Sequence, residues 1–276
     1  MISTLSKPWY NFIMNRKAFT LVELLVVIAI VGLLSSVAIV SLNNSREKAS
    51  IASGLQFEAT ISRAVGSEAV AVWDFNDGSG TNAGDGSGNG NNATLHGGAT
   101  WICASTNKNY TASGQDCALN FDGTGYVTTS ISNVGDGTVS LWFNKRNTAG
   151  TSNLIGRRTP GCYSSAIYLN TPGNEVRVYN TGPEASIGYI QYNRWNHLAV
   201  VRSNSGAKAD YYLNGKLTLT NAFNLNLNDL ISNIGSSCSG GGVPLVGYID
   251  NVRIYGAALN AKSVEKLYAY EKEKYD

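Results

Sequence analysis

The sequence predicts a long N-terminal α-helix, an all-β domain of sandwich or barrel type, and a short C-terminal helix. Three observations predict it. The run from Phe19 to Leu42 is predominantly apolar and carries no charge apart from Glu23, and about 20 apolar residues span a bilayer as a helix. From Ala69 to Tyr255, short β-branched and aromatic stretches alternate with Gly, Asn, Asp and Ser, the pattern of many short strands joined by turns. From Asn260 to Tyr275, the residues Val264, Leu267 and Tyr268 fall on one side of a helix.

The chain of 276 residues has room for one large domain and an appendage. Its net charge is +2, with Lys and Arg scattered, so no nucleic-acid footprint is formed and no nucleic-acid partner is expected. Only 14% of residues are charged, while Gly (30) and Tyr (15) are abundant, which suits a loop-rich β protein with a weakly charged surface. His96 and His197 are the only two histidines, which leaves little material for a His-based zinc site or catalytic triad.

Residues 1–18 read as a basic, polar leader ending in Arg16-Lys17-Ala18. Basic residues before an apolar span stay in the cytoplasm and place the rest of the chain outside. After Leu42 the pattern turns amphipathic, with Ile51, Leu55, Ala59, Ile61 and Val65 at helical intervals among charged residues. No Pro or Gly-Gly pair breaks the join, so one helix is expected over 19–66. A secretory signal would have a shorter apolar core and a cleavage site after it. A plain membrane anchor leaves Glu23 unexplained, because a carboxylate inside an apolar span costs roughly 2–3 kcal/mol.

The stretch Lys17-Ala18-Phe19-Thr20-Leu21-Val22-Glu23-Leu24-Leu25-Val26-Val27-Ile28-Ala29-Ile30 resembles the class III signal of type IV pilins and type II secretion pseudopilins. The resemblance implies cleavage by a prepilin peptidase between Ala18 and Phe19, methylation of the new N-terminal Phe19, and assembly with other pilin subunits through Glu23. The physical logic is local: a carboxylate one turn from the new α-amine can neutralise a neighbouring subunit's amine, and leaving either charge alone in a filament core is expensive. Ala18 stands where the family usually has Gly, and the family's helix-kinking Pro is absent. The implied location is a single-pass inner-membrane precursor that becomes part of an extracellular filament.

Strands are expected at Ala69–Phe75, Ala118–Asp122, Tyr126–Ser130, Thr138–Phe143, Asn153–Arg157, Ala166–Leu169, Glu175–Tyr179, Asn196–Arg202, Asp210–Leu213, Lys216–Thr220, Leu230–Ile234 and Val246–Tyr255. Asn214-Gly215 is a two-residue hairpin signal, since it supplies the positive φ angles of a type I′ turn. Asn76 to Asn92 is nearly all Gly, Asn, Asp and Ser and reads as a ligand-holding loop within one domain. Cys103, Cys117, Cys162 and Cys238 lie on the outer side, where disulfides persist. Four Cys allow three pairings. The favoured one joins Cys103 to Cys117 across a short polar loop and Cys162 to Cys238 between two Gly/Ser-rich loops, with four buried free thiols as the alternative.

Several phrases then occur in a recognisable order: Trp73-Asp74-Phe75-Asn76-Asp77-Gly78-Ser79-Gly80, Asp85-Gly86-Ser87-Gly88-Asn89-Gly90-Asn91-Asn92-Ala93-Thr94-Leu95, Leu119-Asn120-Phe121-Asp122-Gly123, Trp195-Asn196-His197-Leu198-Ala199-Val200, Tyr211-Tyr212-Leu213-Asn214-Gly215-Lys216 and Gly247-Tyr248-Ile249-Asp250-Asn251-Val252-Arg253-Ile254-Tyr255. Together they resemble the laminin-G-like, concanavalin A-like jelly-roll family. The implied organisation is a leader (1–18), a transmembrane and assembly helix (19–66), an antiparallel jelly-roll sandwich (69–258) and a C-terminal helix (259–276).

Members of that family often hold calcium, which takes six to eight oxygen ligands. The resemblance makes Asp85, Asn89 and Asp250 the candidate metal ligands and calcium the candidate cofactor. Glucanases of this fold carry a Glu-x-Asp-x-x-Glu strand, and this sequence has none. Glu175 and Glu184 lie in turn-like surroundings and His197 reads as a packed histidine, so the chain is not expected to be an enzyme and no catalytic residue is named. Trp73, Trp142 and Trp195 read as core rather than as a ligand platform. The expected function is a minor or tip-type pilin-like subunit with a jelly-roll domain for adhesion, its partners being the membrane, other pilins and a glycan or matrix protein. The alternatives are a pseudopilin of a type II secretion-like system and a membrane-anchored glycan-acting enzyme.

Overall fold

The computed structural model describes residues 21–32, 35, 69–103, 117–131, 134–146, 150–156, 165–170, 174–180, 182–203, 208–220, 227, 231–237 and 242–275. The chain divides into two units, Met1–Gln56 and Phe57–Asp276. In the first, residues 21–32 are helical and their apolar side chains, Leu21 and Ile28 among them, are exposed. The rest of the helix expected over 19–66 lies outside the described residues, as do Ala18, Phe19, Cys162 and Cys238. Among the described residues no helix is long and apolar enough to cross a membrane.

The second unit contains β1 (Ala69–Trp73), β2 (Asn82–Ala83), β3 (Ala93–His96), β4 (Ala99–Cys103), β5 (Cys117–Asp122), β6 (Tyr126–Thr128), β7 (Gly137–Lys145) and β8 (Ser152–Gly156). It continues with β9 (Ser165–Asn170), β10 (Glu175–Asn180), β11 (Glu184–Tyr189), β12 (Trp195–Ser203), β13 (Lys208–Leu213), β14 (Lys216–Leu219), β15 (Asn233–Ile234) and β16 (Val246–Tyr255). A helix over Ala261–Lys272 follows. The strands form two eight-stranded sheets. The first runs β14-β13-β12-β7-β16-β5-β4, with β1 also paired to β16. The second runs β11-β10-β9-β8-β15-β6-β3-β2.

The sheets form a sandwich because alternation gives each one apolar face. Val139, Leu141 and Phe143 of β7, Leu198 and Val200 of β12, and Ile249, Val252 and Ile254 of β16 meet Leu95, Val127, Ile155, Ile167, Val176 and Val178 from the second sheet in one core. Burying a Leu, Ile or Phe side chain contributes about 1.5–3 kcal/mol. In β16 both Ile249 and Val252 point inward, which strict alternation forbids. Asn251, at φ 49°, absorbs the extra residue as a bulge, and the register against β7 shifts between Asp250 and Arg253. The edge of β16 is shared: β5 pairs with its first half and β1 with its second.

The Asn214-Gly215 turn forms as expected, with φ angles of 51° and 75°. Gly215 is also needed for space, since a Cβ there would lie 2.6 Å from the Tyr268 ring. The C-terminal helix starts at Asn260, whose side chain accepts from the Ser263 N–H at 3.0 Å. Its Val264 and Leu267 bury against Ala199, Val201, Tyr212 and Tyr255 on the outer face of the first sheet. Thr138 fixes the approach, donating to Ala257 O and accepting from Leu259 N at 2.9 Å each.

Four strands were not legible as such. β2 sits inside the Gly-rich run, and β3 and β4 flank Gly97-Gly98, where the chain crosses from one sheet to the other. β11 is Glu-Ala-Ser-Ile-Gly-Tyr, with little apolar alternation to mark it. Glu184 therefore opens strand β11, correcting its turn reading, while Glu175 opens β10 as the expected strand Glu175–Tyr179 has it.

Candidate functional site

The Asp85–Asn91 loop lies along β1 as a substitute for a neighbouring strand. Asp85 Oδ1 accepts from Val72 N at 3.0 Å, while Gly86 N donates to Val72 O at 2.8 Å. Asn89 Nδ2 donates to Ala69 O at 2.6 Å and Asn91 Nδ2 to Val70 O at 2.7 Å. The Asp85 carboxylate also accepts from Ser87 N, Ser87 Oγ and Asn91 N, at 2.8–2.9 Å. Burial raises the Asp85 pKa, but the hydrogen bonds from Val72, Ser87 and Asn91 outweigh it and hold the carboxyl below its usual range.

Asp250 lies elsewhere. It is on β16, on the other side of β1 from the loop, and its carboxylate accepts from Tyr275 Oη and Asn251 N at 2.7 Å each. The three residues expected to share a calcium ion are therefore not gathered at one point. Among the described residues no group of three or more His, Cys, Asp or Glu side chains is placed to hold a metal.

Cys103 and Cys117 are bonded to each other and are register partners at the ends of β4 and β5. Their sulfurs pack against Gly78, and Cys117 N donates to Asn76 Oδ1 at 2.9 Å, so the bond also anchors the chain leaving β1.

Beneath the C-terminal helix, the outer face of the first sheet carries a buried polar cluster. Asp250, Trp142 and His197 are partners across β16, β7 and β12. Trp142 Nε1 donates to Glu271 Oε2 at 2.7 Å, and Arg253 Nε lies 2.9 Å from Glu271 Oε1. The Tyr275 ring stacks on Trp142 at 4.2 Å. Burial pushes Asp250 up to about 7, against the pull of Lys274, the Tyr275 hydroxyl and the Asn251 N–H. Burial likewise raises Glu271 and drives His197 down to about 3. Ser140 Oγ and Glu271 Oε2 both address His197 Nε2, at 2.8 and 3.9 Å, while Nδ1 has no partner. This is not the nucleophile–base–carboxylate order of a serine triad, in which the carboxylate holds the far ring nitrogen.

Beyond the helix the same face carries a row of polar and aromatic side chains. Thr100, Asn120, Tyr248, Asn144 and Trp195 are successive register partners across β4, β5, β16, β7 and β12. Arg146, just past β7, donates from Nε and Nη2 to Tyr248 Oη at 3.2 and 2.7 Å, and from Nη2 to Asn120 Oδ1. Trp73 and Trp142 are buried as expected, but Trp195 is only half-buried, which corrects its reading as core.

The outer face of the second sheet carries a different group. Tyr168, Arg177 and Ser186 are partners across β9, β10 and β11. The Arg177 guanidinium lies between Glu175 at 3.0 Å and Glu184 at 3.3 Å. The Ser186 hydroxyl and Arg177 hold Glu175 below the usual carboxylate range. At the far edge, His96 stacks on Tyr126 at 4.8 Å and its Nε2 lies 2.9 Å from Thr128 Oγ1.

Comparison with known proteins agrees with the two parts of the chain. Residues 13–39 match the prokaryotic N-terminal methylation motif, and residues 121–265 match the concanavalin A-like lectin/glucanases superfamily. No curated protein matches the chain. Among solved structures, domain 4 of AbnA, a GH43 extracellular arabinanase from Geobacillus stearothermophilus in complex with arabinotriose, is 20% identical with a TM-score of 0.53, covering 72% of this chain and 98% of that one. Trypanosoma rangeli sialidase is 15% identical with a TM-score of 0.57, covering 75% of this chain and 33% of that one. The binding domain of Paraclostridial Mosquitocidal Protein 1 is 15% identical with a TM-score of 0.51, covering 73% and 52%. At these identities the likeness is one of fold.

These matches correct the expectation that the chain is not an enzyme. The same fold is built into an arabinanase and a sialidase. The missing Glu-x-Asp-x-x-Glu strand removes one arrangement of carboxylates, not glycan chemistry as a class. The match over 121–265 spans just over half of the residues, and the chain belongs to the concanavalin A-like lectin/glucanase superfamily.

Proposed function

We propose that this chain is a minor, tip-type subunit of a surface filament and that its sandwich binds a glycan. The observation that carries the reading is the union, in one chain, of a methylation motif over 13–39 with a lectin-type sandwich. A prepilin peptidase cuts between Ala18 and Phe19, Phe19 is methylated, and Glu23 offsets the α-amine of a neighbouring subunit. A sandwich this large crowds a filament if every subunit carries it, which favours a minor subunit. The partly exposed Trp195 and the polar rows on the outer faces of both sheets supply the aromatic and hydrogen-bonding groups that sugar rings need.

The test is a panel of immobilised polysaccharides and matrix proteins, challenged with the processed full-length chain in detergent. Retention on a glycan is the expected result. Release of soluble sugar during retention assigns the chain to the glycan-acting class instead. Passage through every polysaccharide without retention contradicts glycan binding.

A further inference from the structure

We infer that the end of the first sheet's outer face beyond the C-terminal helix is a binding site for a carboxylate-bearing sugar, held by Asn144, Arg146 and Trp195. The inference rests on the reading that the sandwich binds glycans and names the site and the ligand class.

Three observations converge on one place. The first is a cation without a counter-ion. Arg146 is fixed by Tyr248 and Asn120 through Nε and Nη2, and among the described residues no carboxylate pairs with it. A guanidinium has five N–H donors, so the two on Nη1 are left for a ligand. Guanidinium and carboxylate geometries match, and two N–H groups can engage two oxygens. The second is an orphan acceptor. Asn144 is only 4% exposed, and its Oδ1 has no hydrogen-bond partner. Buried polar atoms in folded proteins are almost always satisfied, and an exception calls for an explanation. A sugar hydroxyl is a donor of the right kind. The third is a stacking surface. Trp195 is half-buried beside Tyr248 and Tyr275, with ring centroids 6.4 and 4.9 Å away.

The register makes these one site. Asn144 is the cross-strand partner of both Trp195 and Tyr248, and Arg146 follows two residues after it. Adjacent partners in an antiparallel sheet are about 5 Å apart, so ring, amide and guanidinium lie within the span of one or two pyranose units. Tyr275 closes the side toward the C-terminal helix. The nearby Asp122 turns its carboxylate to Thr124 N and Oγ1, at 2.8 Å each, rather than to Arg146.

The test uses the processed full-length chain in detergent, titrated with a short oligogalacturonate, with sialyllactose, and with a neutral galactan oligosaccharide of similar length. These arms separate uronate from sialate as the source of the carboxylate. At least one acidic sugar is expected to bind about tenfold or more tighter than the neutral one, the effect of one strong charged contact. Arg146→Gln is expected to abolish that preference. Trp195→Ala is expected to weaken acidic and neutral sugars alike, and Trp195→Phe to restore most of the binding. Arg177→Gln, on the other sheet, is expected to change nothing. Unaltered preference for the acidic sugar in Arg146→Gln overturns the site, and so does loss of that preference in Arg177→Gln. Binding of the neutral sugar alone overturns the ligand class while leaving the glycan-binding reading intact. Binding of no sugar by the wild type removes both.

Discussion

Asp250 and His197 flank Trp142 beneath one helix, and burial moves their pKa values in opposite directions. The folded Asp250 keeps its proton to about pH 7, against an ordinary value of 3.8. Its contribution is therefore fully present below about pH 4 and is lost as pH rises toward 7. His197 stays neutral down to about pH 3, against 6.5. Its contribution is present above 6.5 and is lost as pH falls. The two slopes oppose each other between about pH 4 and 6.5. Glu271, also raised by burial, acts in the same sense as Asp250. Asp250→Asn removes one side of the balance. Relative to the wild type, the variant is expected to gain stability between pH 5 and 7.5, by on the order of 2 kcal/mol. Thermal melts of both proteins at the two pH values check it, and parallel behaviour contradicts the assigned directions.

Among the elements, β1 depends most on side chains outside the strand ladder. One edge pairs with β16, and the Asp85–Asn91 loop occupies the other. An uncovered strand edge is a site for unwanted pairing, and here Asp, Ser and Asn side chains cover it. Asp85→Ala removes an acceptor that holds Val72 N, Ser87 N, Ser87 Oγ and Asn91 N. The expected cost is about 2–3 kcal/mol, because several of the four donors lose a charged partner and part of the loss is recovered by water. Hydrogen exchange at the Val72 amide is expected to speed up with it, and an unchanged rate contradicts the capping role. From the sequence, the same oxygen-rich loop reads equally well as a ligand holder. Only the register shows that the free edge of β1 lies beside it. The long strands β7, β12 and β16 were legible because each is a run of nine or ten residues rich in β-branched, aliphatic and aromatic side chains. The row Thr100–Asn120–Tyr248–Asn144–Trp195 was not legible, because β5, β16, β7 and β12 are neighbours in space and not in sequence.

On the scale of the whole molecule, the two parts are recognisable from different kinds of signal. The methylation motif is contiguous, so Ala18, Phe19 and Glu23 could be named from the sequence. The sandwich is recognised by the order of many weak phrases, which conveys the fold and not the site. What joins the parts is the claim that the chain is processed as a pilin-type subunit and carries the sandwich outward. That claim fixes a chemical end point, because the peptidase leaves one defined N-terminus. The most direct measurement is the mass of the N-terminal peptide of the protein recovered from cells that contain a prepilin peptidase. The expected peptide begins at Phe19 and carries one methyl group on its α-amine, with residues 1–18 gone. A mature protein that still begins at Met1 or Ile2 contradicts it and leaves a lectin-type sandwich on an unprocessed tether.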